Sequence, residues 1–353
     1  MKILKPRSFG LFCIATLALG CTLVTKAAFT GNLPPVSESG HVVGMAFESV
    51  VVSNLERSLK YYKALGFKTE SENHPPFAGD EAENRLYKTP GAMSRTAKLT
   101  VASAVSGEPF ILYLREYKNA ARGNRVDFPA RNPSAAHIGL MVPDADTLWA
   151  SMKSDGTLRA LSWEAKLVRM PGQTSGGIAY VMDPDGFNIE IVGLSRSPAA
   201  TRSSLHHVGL AVLNSDRAKS FYGNLLDAIF PASTPEWLSG DMYDAAVGGR
   251  GFVIRLINGA FPEAAARQKT MRFELVEYQK PARADVKDYS YSDISVSCVG
   301  FQVKGIDALY TRLKNAGIKI WSEGGIVQKK DGTRAVVVRD PDVGAFVELV
   351  EGN

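Results

Sequence analysis

Three short strings in this chain place a candidate metal ligand two residues before a glycine: His137-Ile-Gly139, His207-Val-Gly209 and Cys298-Val-Gly300. Side chains in a strand alternate between two faces, so ligand and glycine share one face and the residue between them takes the other. Val208, Leu210 and Val212 then form an apolar face that must meet a helix, while His207, Gly209 and Ala211 leave open space on the opposite side. Ile138, Leu140 and Val142 oppose His137 and Gly139 in the same way, and Val299, Phe301 and Val303 oppose Cys298 and Gly300. Three further strings set one glutamate between apolar neighbours: Glu190 between Ile189 and Ile191, Glu274 between Phe273 and Leu275, Glu348 between Val347 and Leu349. A carboxylate on the inner face of a sheet is costly to bury unless a cation, an arginine or water meets it. Glu274 and Glu348 together make a cation the expected occupant.

The same residues have structural readings. A lone buried cysteine behaves as a small hydrophobe, which suits Cys298. His137 and His207 can be satisfied by hydrogen bonds within the sheet. Glu274 and Glu348 can pair with Arg255, Arg272 or Arg339. Asp183, Asp185, Asp340 and Asp342 sit in Asp-Pro-Asp strings that favour turns, so they are expected to shape hairpins and not to catalyse. Tyr61, Tyr62, Phe221 and Tyr222 read as packing between helix and sheet, and His41 and His206 fall off the inner face.

The elements that must position these residues repeat. Asn54 to Tyr62 lines up with Asn214 to Tyr222 at an offset of 160, and His137 to Val142 lines up with Cys298 to Val303 at an offset of 161. Asp183-Pro-Asp185 and Asp340-Pro-Asp342 match near the same spacing, so the two halves are copies of one design. Each half is itself doubled, with a strand, a helix and further strands. The first module opens at Met45 to Val52 and closes with Phe110 to Leu114. A capping box of Ser53 with Glu56 is expected to start its helix. The second opens at Ala136, carries a helix over Ala145 to Ser154, and closes with Asn188 to Val192. The third opens at His206, has a helix over Ser215 to Leu226, and closes with Met271 to Tyr278. The fourth opens at Val296, has a helix over Ile306 to Ala316, and closes with Phe346 to Glu351. Residues 195–204 read as a linker. The irregular stretches Glu72 to Glu83 and Pro231 to Gly240 are of the kind that often covers sites. Gly248-Gly249-Arg250-Gly251 is a turn before a strand over Phe252 to Ile257.

His-x-Gly on an opening strand, Asn/Asp-x-x-Arg-x-x-x-Phe/Tyr-Tyr on the helix, and Asp-Pro-Asp-Gly before a closing Glu together resemble the vicinal-oxygen-chelate superfamily of glyoxalases, bleomycin-resistance proteins and extradiol dioxygenases. The resemblance spans nearly all of the chain after its first ~40 residues. It implies an α+β fold of four βαβββ modules pairing into two open barrels, one over 41–194 and one over 205–351. It also implies a divalent metal held from the opening and closing strands, and a small substrate that chelates the metal through adjacent oxygens. In the first half the ligand positions fall on Phe47, Tyr113, His137 and Glu190, so that shell is half lost. In the second they fall on His207, Glu274, Cys298 and Glu348, with Glu274 or Glu348 as the base. By this grouping neither half has an intact set of two histidines and one carboxylate. That argues against iron-dependent ring cleavage and suits zinc better than iron, the candidate ions being zinc, nickel, manganese and iron. Metal chemistry is therefore expected in residues 205 to 351. The competing expectation is a binding protein without metal, in which Phe47 and Tyr113 offer stacking surface.

Composition excludes other classes. The chain has 353 residues, 45% hydrophobic and 22% charged, ordinary for two globular domains. Residues 1–28 read as a signal peptide: Lys2, Lys5 and Arg7, an apolar run from Leu11 to Val24, then Thr25-x-Ala27, with the mature chain starting near Ala28. Anchoring as a lipoprotein at Cys21 is the alternative. Removing the segment takes four positive charges, so the net charge falls from +5 to about +1, which gives no electrostatic case for nucleic acid. It leaves Cys298 alone and no intramolecular disulfide. The expected location is periplasmic or secreted, with a small-molecule partner and no membrane span in the mature chain.

Overall fold

The computed structural model describes residues 39–70, 75–104, 109–120, 130–134, 136–169, 172–193, 202–266, 272–279 and 289–352. The expected signal segment, with Cys21, and residues 195–201 of the expected linker lie outside the described residues. Among the described residues no helix is long and apolar enough to cross a membrane.

Four modules are present. The first comprises β1 (His41–Val51), α1 (Leu55–Ala64), β2 (Lys68–Thr69), β3 (Ala78–Gly79), α2 (Glu81–Tyr87), β4 (Met93–Ser103) and β5 (Pro109–Lys118). The second has β6 (Ala136–Val142), α3 (Ala145–Ser154), β7 (Gly177–Met182) and β8 (Asn188–Gly193). The third has β9 (Ser204–Val212), α4 (Ser215–Lys219) continued by a π-turn over Ser220–Leu225, β10 (Leu238–Ser239), α5 (Asp241–Val247), β11 (Val253–Gly259), α6 (Pro262–Ala266) and β12 (Arg272–Tyr278). The fourth has β13 (Ser297–Lys304), α7 (Ile306–Asn315), β14 (Val327–Gln328), β15 (Arg334–Arg339) and β16 (Phe346–Glu351). The α+β class and the doubled modules follow the sequence expectation.

The pairing of modules does not. β6 of the second module pairs antiparallel with β9 of the third, and β1 of the first pairs antiparallel with β13 of the fourth. One half-barrel therefore runs β10-β11-β12-β9-β6-β8-β7, and the other runs β4-β5-β1-β13-β16-β15-β14. A short parallel contact of β4 with β9, at Ala102–Ser204 and Ser103–Leu205, joins them. The expected barrels over 41–194 and 205–351 are thus corrected. The tandem repeats stand, but each barrel takes one module from each half. The two modules of each half are instead tied to each other on the helix side. Asp185, in the turn after β7, accepts from the Ser53 hydroxyl at 2.6 Å and pairs with Arg57 at 2.7 Å. Asp342 pairs with Arg217 at 2.6 Å and accepts from the backbone N–H groups of Leu213 and Asn214. The arginine of the helix motif and the aspartate of the turn motif are therefore partners in docking one module on the next.

Local signals act as expected, with two exceptions. Asp183 Oδ1 accepts from the backbone N–H groups of Asp185, Gly186 and Phe187, and Asp340 Oδ1 from those of Asp342 and Val343, so both shape turns. The cap of α1 is Asn54, which accepts from the Arg57 N–H, because the Ser53 hydroxyl is taken by Asp185. The helix expected over Ser215 to Leu226 is regular only to Lys219 and then widens into the π-turn. Leu55, Leu59, Tyr62, Phe221 and Tyr222 join Val208, Leu210, Phe301 and Val303 in one core between helices and sheet.

Candidate metal centre

His137 on β6 and His207 on β9 face each other across the seam between the second and third modules. Their Nε2 atoms are 2.9 Å apart. The register makes this possible: His137 stands opposite Gly209, and Gly139 opposite His207. Each ring lies over the other strand's glycine. A Cβ at Gly209 would sit 2.0 Å from His137 Cε1, and one at Gly139 would sit 2.1 Å from His207 Cε1. The glycines are there to admit the rings.

The closing strands bring the carboxylates to the same point. Glu190 on β8 pairs with Gly139, and Glu274 on β12 pairs with Gly209. Glu190 Oε2 is 3.1 Å from His207 Nε2 and 3.9 Å from His137 Nε2. Glu274 Oε2 is 3.7 Å from His207 Nε2 and 3.9 Å from His137 Nε2. His137, His207 and Glu274 hold their ligand atoms within 4.8 Å of one another, with all three residues buried. Two imidazoles and two carboxylates converging on one buried point fit a divalent ion, because ligand distances of about 2.0–2.2 Å place neighbouring donors at these separations. Burial, then His207, pushes the His137 pKa down to about 3, so its ring is neutral and offers a lone pair. Burial alone would lower that of His207, but Glu274 and Glu190 outweigh it and raise it above the ordinary value.

His206 belongs to this site as well. Its Nδ1 is 2.9 Å from His207 Nδ1, and Arg272 lies 2.9 Å from its Nε2. Alternation along β9 would send it to the other face. A register shift breaks that alternation, since Gly139 pairs with His207 but Leu140 with Leu205, leaving His206 as the extra residue of a bulge. Bulges depend on the neighbouring strand and leave no mark on a single strand's hydrophobic pattern.

Cys298 and Glu348 are not part of this centre, and the expected set of His207, Glu274, Cys298 and Glu348 is corrected. β13 and β16 lie in the other half-barrel, where the equivalent positions are Phe47, Tyr113, Cys298 and Glu348. The geometry there is a copy with different side chains. Phe47 stands over Gly300 as His137 stands over Gly209, and Ser49 faces Cys298. Phe47 packs edge-on against Tyr113 at 5.1 Å. Glu348, fully buried, accepts from Tyr87 at 2.9 Å and from Lys329 at 2.7 Å. Of the arginines considered for it, Arg255 pairs with Glu277, and Arg339 donates to the Tyr289 carbonyl. Burial, then Glu348 and Glu48, pushes the Cys298 thiol well above its ordinary pKa. Arg115 fills the remaining space, bonded to Ser49 and Glu83 and lying over the rings of Tyr87 and Tyr113.

A cavity of about 390 Å³ opens beside the first centre, with Glu190, His206, His207 and Glu274 in its wall. Pro231, Pro235, Glu236 and Leu238 border it, so the irregular stretch over 231–240 does cover the site. An assembled set of two histidines and one carboxylate exists, built from both halves.

The Glyoxalase/Bleomycin resistance protein/Dioxygenase superfamily matches residues 39–191 and 204–349. The chain belongs to this family. Members commonly use divalent metals, and the fold binds small-molecule substrates. Among solved structures, a glyoxalase I mutant from Zea mays is similar at a TM-score of 0.52 and 20% identity, covering 89% of this chain and 94% of that one. A putative dioxygenase from Bacillus subtilis is similar at 0.52 and 11% identity, covering 88% and 86%. At these identities the likeness concerns the fold. The comparison with curated proteins found no match.

Proposed function

We propose that the chain is a divalent-metal-dependent isomerase or lyase acting on a small substrate with adjacent oxygens, at one site formed by His137, Glu190, His207 and Glu274. The observation that carries this reading is the second carboxylate. Two histidines and two glutamates would hold a six-coordinate ion and leave it two positions for a chelating substrate. When bound, the ion would act as a Lewis acid on the substrate's oxygens. Of the carboxylates, Glu190 is tethered by His207 at 3.1 Å and by the Tyr180 hydroxyl at 3.5 Å. Glu274 stands farther from His207, at 3.7 Å, and is the better placed to take a proton from the carbon beside the chelating oxygens. The lead sequence of residues 1–28 supports export of the mature chain.

A second reading, ring-opening dioxygenation, is favoured by the trio His137, His207 and Glu274, since two histidines and one carboxylate suit non-haem iron. Two measurements separate the two. Exchange of the substrate's α-proton with deuterium by the zinc-, nickel- or manganese-loaded protein supports proton transfer. Oxygen uptake with catechols by the iron-loaded protein, without such exchange, supports the alternative. Metal content below a tenth of an equivalent after loading would rule out both. Glu274→Gln is expected to keep the metal and lose the exchange.

A further inference from the structure

We infer that the substrate of this site presents its adjacent oxygens on an uncharged apolar body, an alkyl or aryl group. The inference rests on the metal-centre reading and adds the chemistry of the rest of the substrate. The metal-binding residues lie at one end of the cavity. On β12, Glu274, Val276 and Tyr278 alternate onto one face, so the carboxylate heads a row of apolar side chains leading away from the histidines. Glu190 and Val192 do the same on β8, and Ile178 and Leu256 complete the side walls. Met242, Ala246 and Val247 of α5 form the roof. A molecule chelated at the ligand end must lay its remaining atoms along these rows. The lining is mainly apolar, with Glu236, Asn258 and tyrosine hydroxyls as its polar groups and, among the described residues, no lysine or arginine, so a negatively charged group there would lose its water without gaining a cation.

The sister half-barrel shows which residues keep the cavity open. α2 and α5 occupy the same place in the repeat, 160 residues apart. In α2 the last two residues are Leu86 and Tyr87, both fully buried, and Tyr87 stacks on Tyr291 at 4.1 Å inside its half-barrel. Their counterparts in α5 are Ala246 and Val247. α5 cannot rise to make room for larger side chains, because Gly248 at its end lies against Leu161 of the second module. A Cβ at Gly248 would meet the Leu161 carbonyl oxygen at 1.9 Å. Ala246 and Val247 are therefore specificity-determining: their small size is the space the apolar body fills.

Three ligands with the same oxygens test this on the zinc-loaded protein by titration calorimetry: catechol, 4-butylcatechol and 3-(3,4-dihydroxyphenyl)propionate. Each buried methylene is worth about a fourfold gain, so the butyl compound is expected to bind at least about thirtyfold tighter than catechol. The propionate, which carries a charge on a similar tail, is expected to bind more weakly than catechol. Val247→Tyr, and independently Ala246→Leu, are expected to cut the butyl gain to below about threefold with zinc stoichiometry unchanged. Propionate binding as tight as butyl, or a butyl gain that survives in both variants, overturns the inference. Catechol affinity that does not depend on zinc overturns the metal-centre reading instead. In that case a butyl preference that persists in the metal-free protein still supports the apolar class.

Discussion

The reciprocal placement of each histidine over the other strand's glycine can be tested by adding one methyl group. In Gly209→Ala the new Cβ lies 2.0 Å from His137 Cε1 and 2.5 Å from its Nε2. Carbon contacts settle near 3.5–4.0 Å, so the ring must retreat by about 1.5 Å. The backbone cannot yield, because Gly209 is paired with His137 on one side and with Glu274 on the other. The imidazole must therefore swing away from the point where the four ligands meet. Displacements of about 1 Å cost about a hundredfold where geometry decides the chemistry, and metal affinity is expected to fall by about that factor. The overpacking itself is expected to cost about 1–3 kcal/mol of stability. Gly300→Ala is the matched control. Its Cβ meets the Phe47 ring at 2.4 Å, the same steric insult at the sister position. It should lose similar stability and no metal affinity. Competition with a chelating dye reads the first quantity and urea unfolding the second. Affinity that falls equally in both variants, or in neither, would refute the assignment.

The buried Glu48 carboxyl offers a pH test. Burial pushes its pKa from 4.5 to about 8, against a smaller opposing effect from Ser297. The folded state keeps a proton that the unfolded chain releases, so stability should fall as pH rises through this window and level off above it. At about 1.4 kcal/mol per unit the full loss is about 4–5 kcal/mol. Glu48→Gln should make the slope between about pH 6 and 8 markedly shallower; a slope unchanged in this variant would contradict this. His206→Ala should weaken metal binding about 10–100-fold by releasing His207, with partial recovery in His206→Gln. Metal binding should expel roughly one proton per site, from His207, when the pH is below its raised pKa. Calorimetry in buffers of different ionisation enthalpy measures the release, which should vanish at high pH.

Much of the site was legible strand by strand. The glycine two residues after His137, His207 and Cys298 marked a face with room, and the isolated glutamates marked the closing strands. What one strand cannot reveal is its partner. Because all four modules share one pattern, β9 is as complementary to β13 as to β6 by hydrophobic alternation alone, and adjacency in the chain favoured the wrong choice. That single error moved His137 and Glu190 out of the centre and put Cys298 and Glu348 in. The loss of ligand character was real, but it belongs to one barrel and not to one half. Glu48 could have been noticed: Ile138, Val208 and Val299 hold its place in the other modules. The bulge at His206 depends on the neighbouring strand and could not.

The crossed pairing also sets an order of assembly. The half-barrel that holds His137 and His207 is complete in sequence once Tyr278 has been made. β1, among the first strands synthesised, must wait for β13 before its antiparallel edge is covered, since Phe47 pairs with Gly300. Contacts so distant in the chain close slowly, and an open strand edge invites pairing with other molecules in the meantime. The half-barrel without the metal ligands is thus the last to close, and its closure clasps the beginning of the described chain to its end.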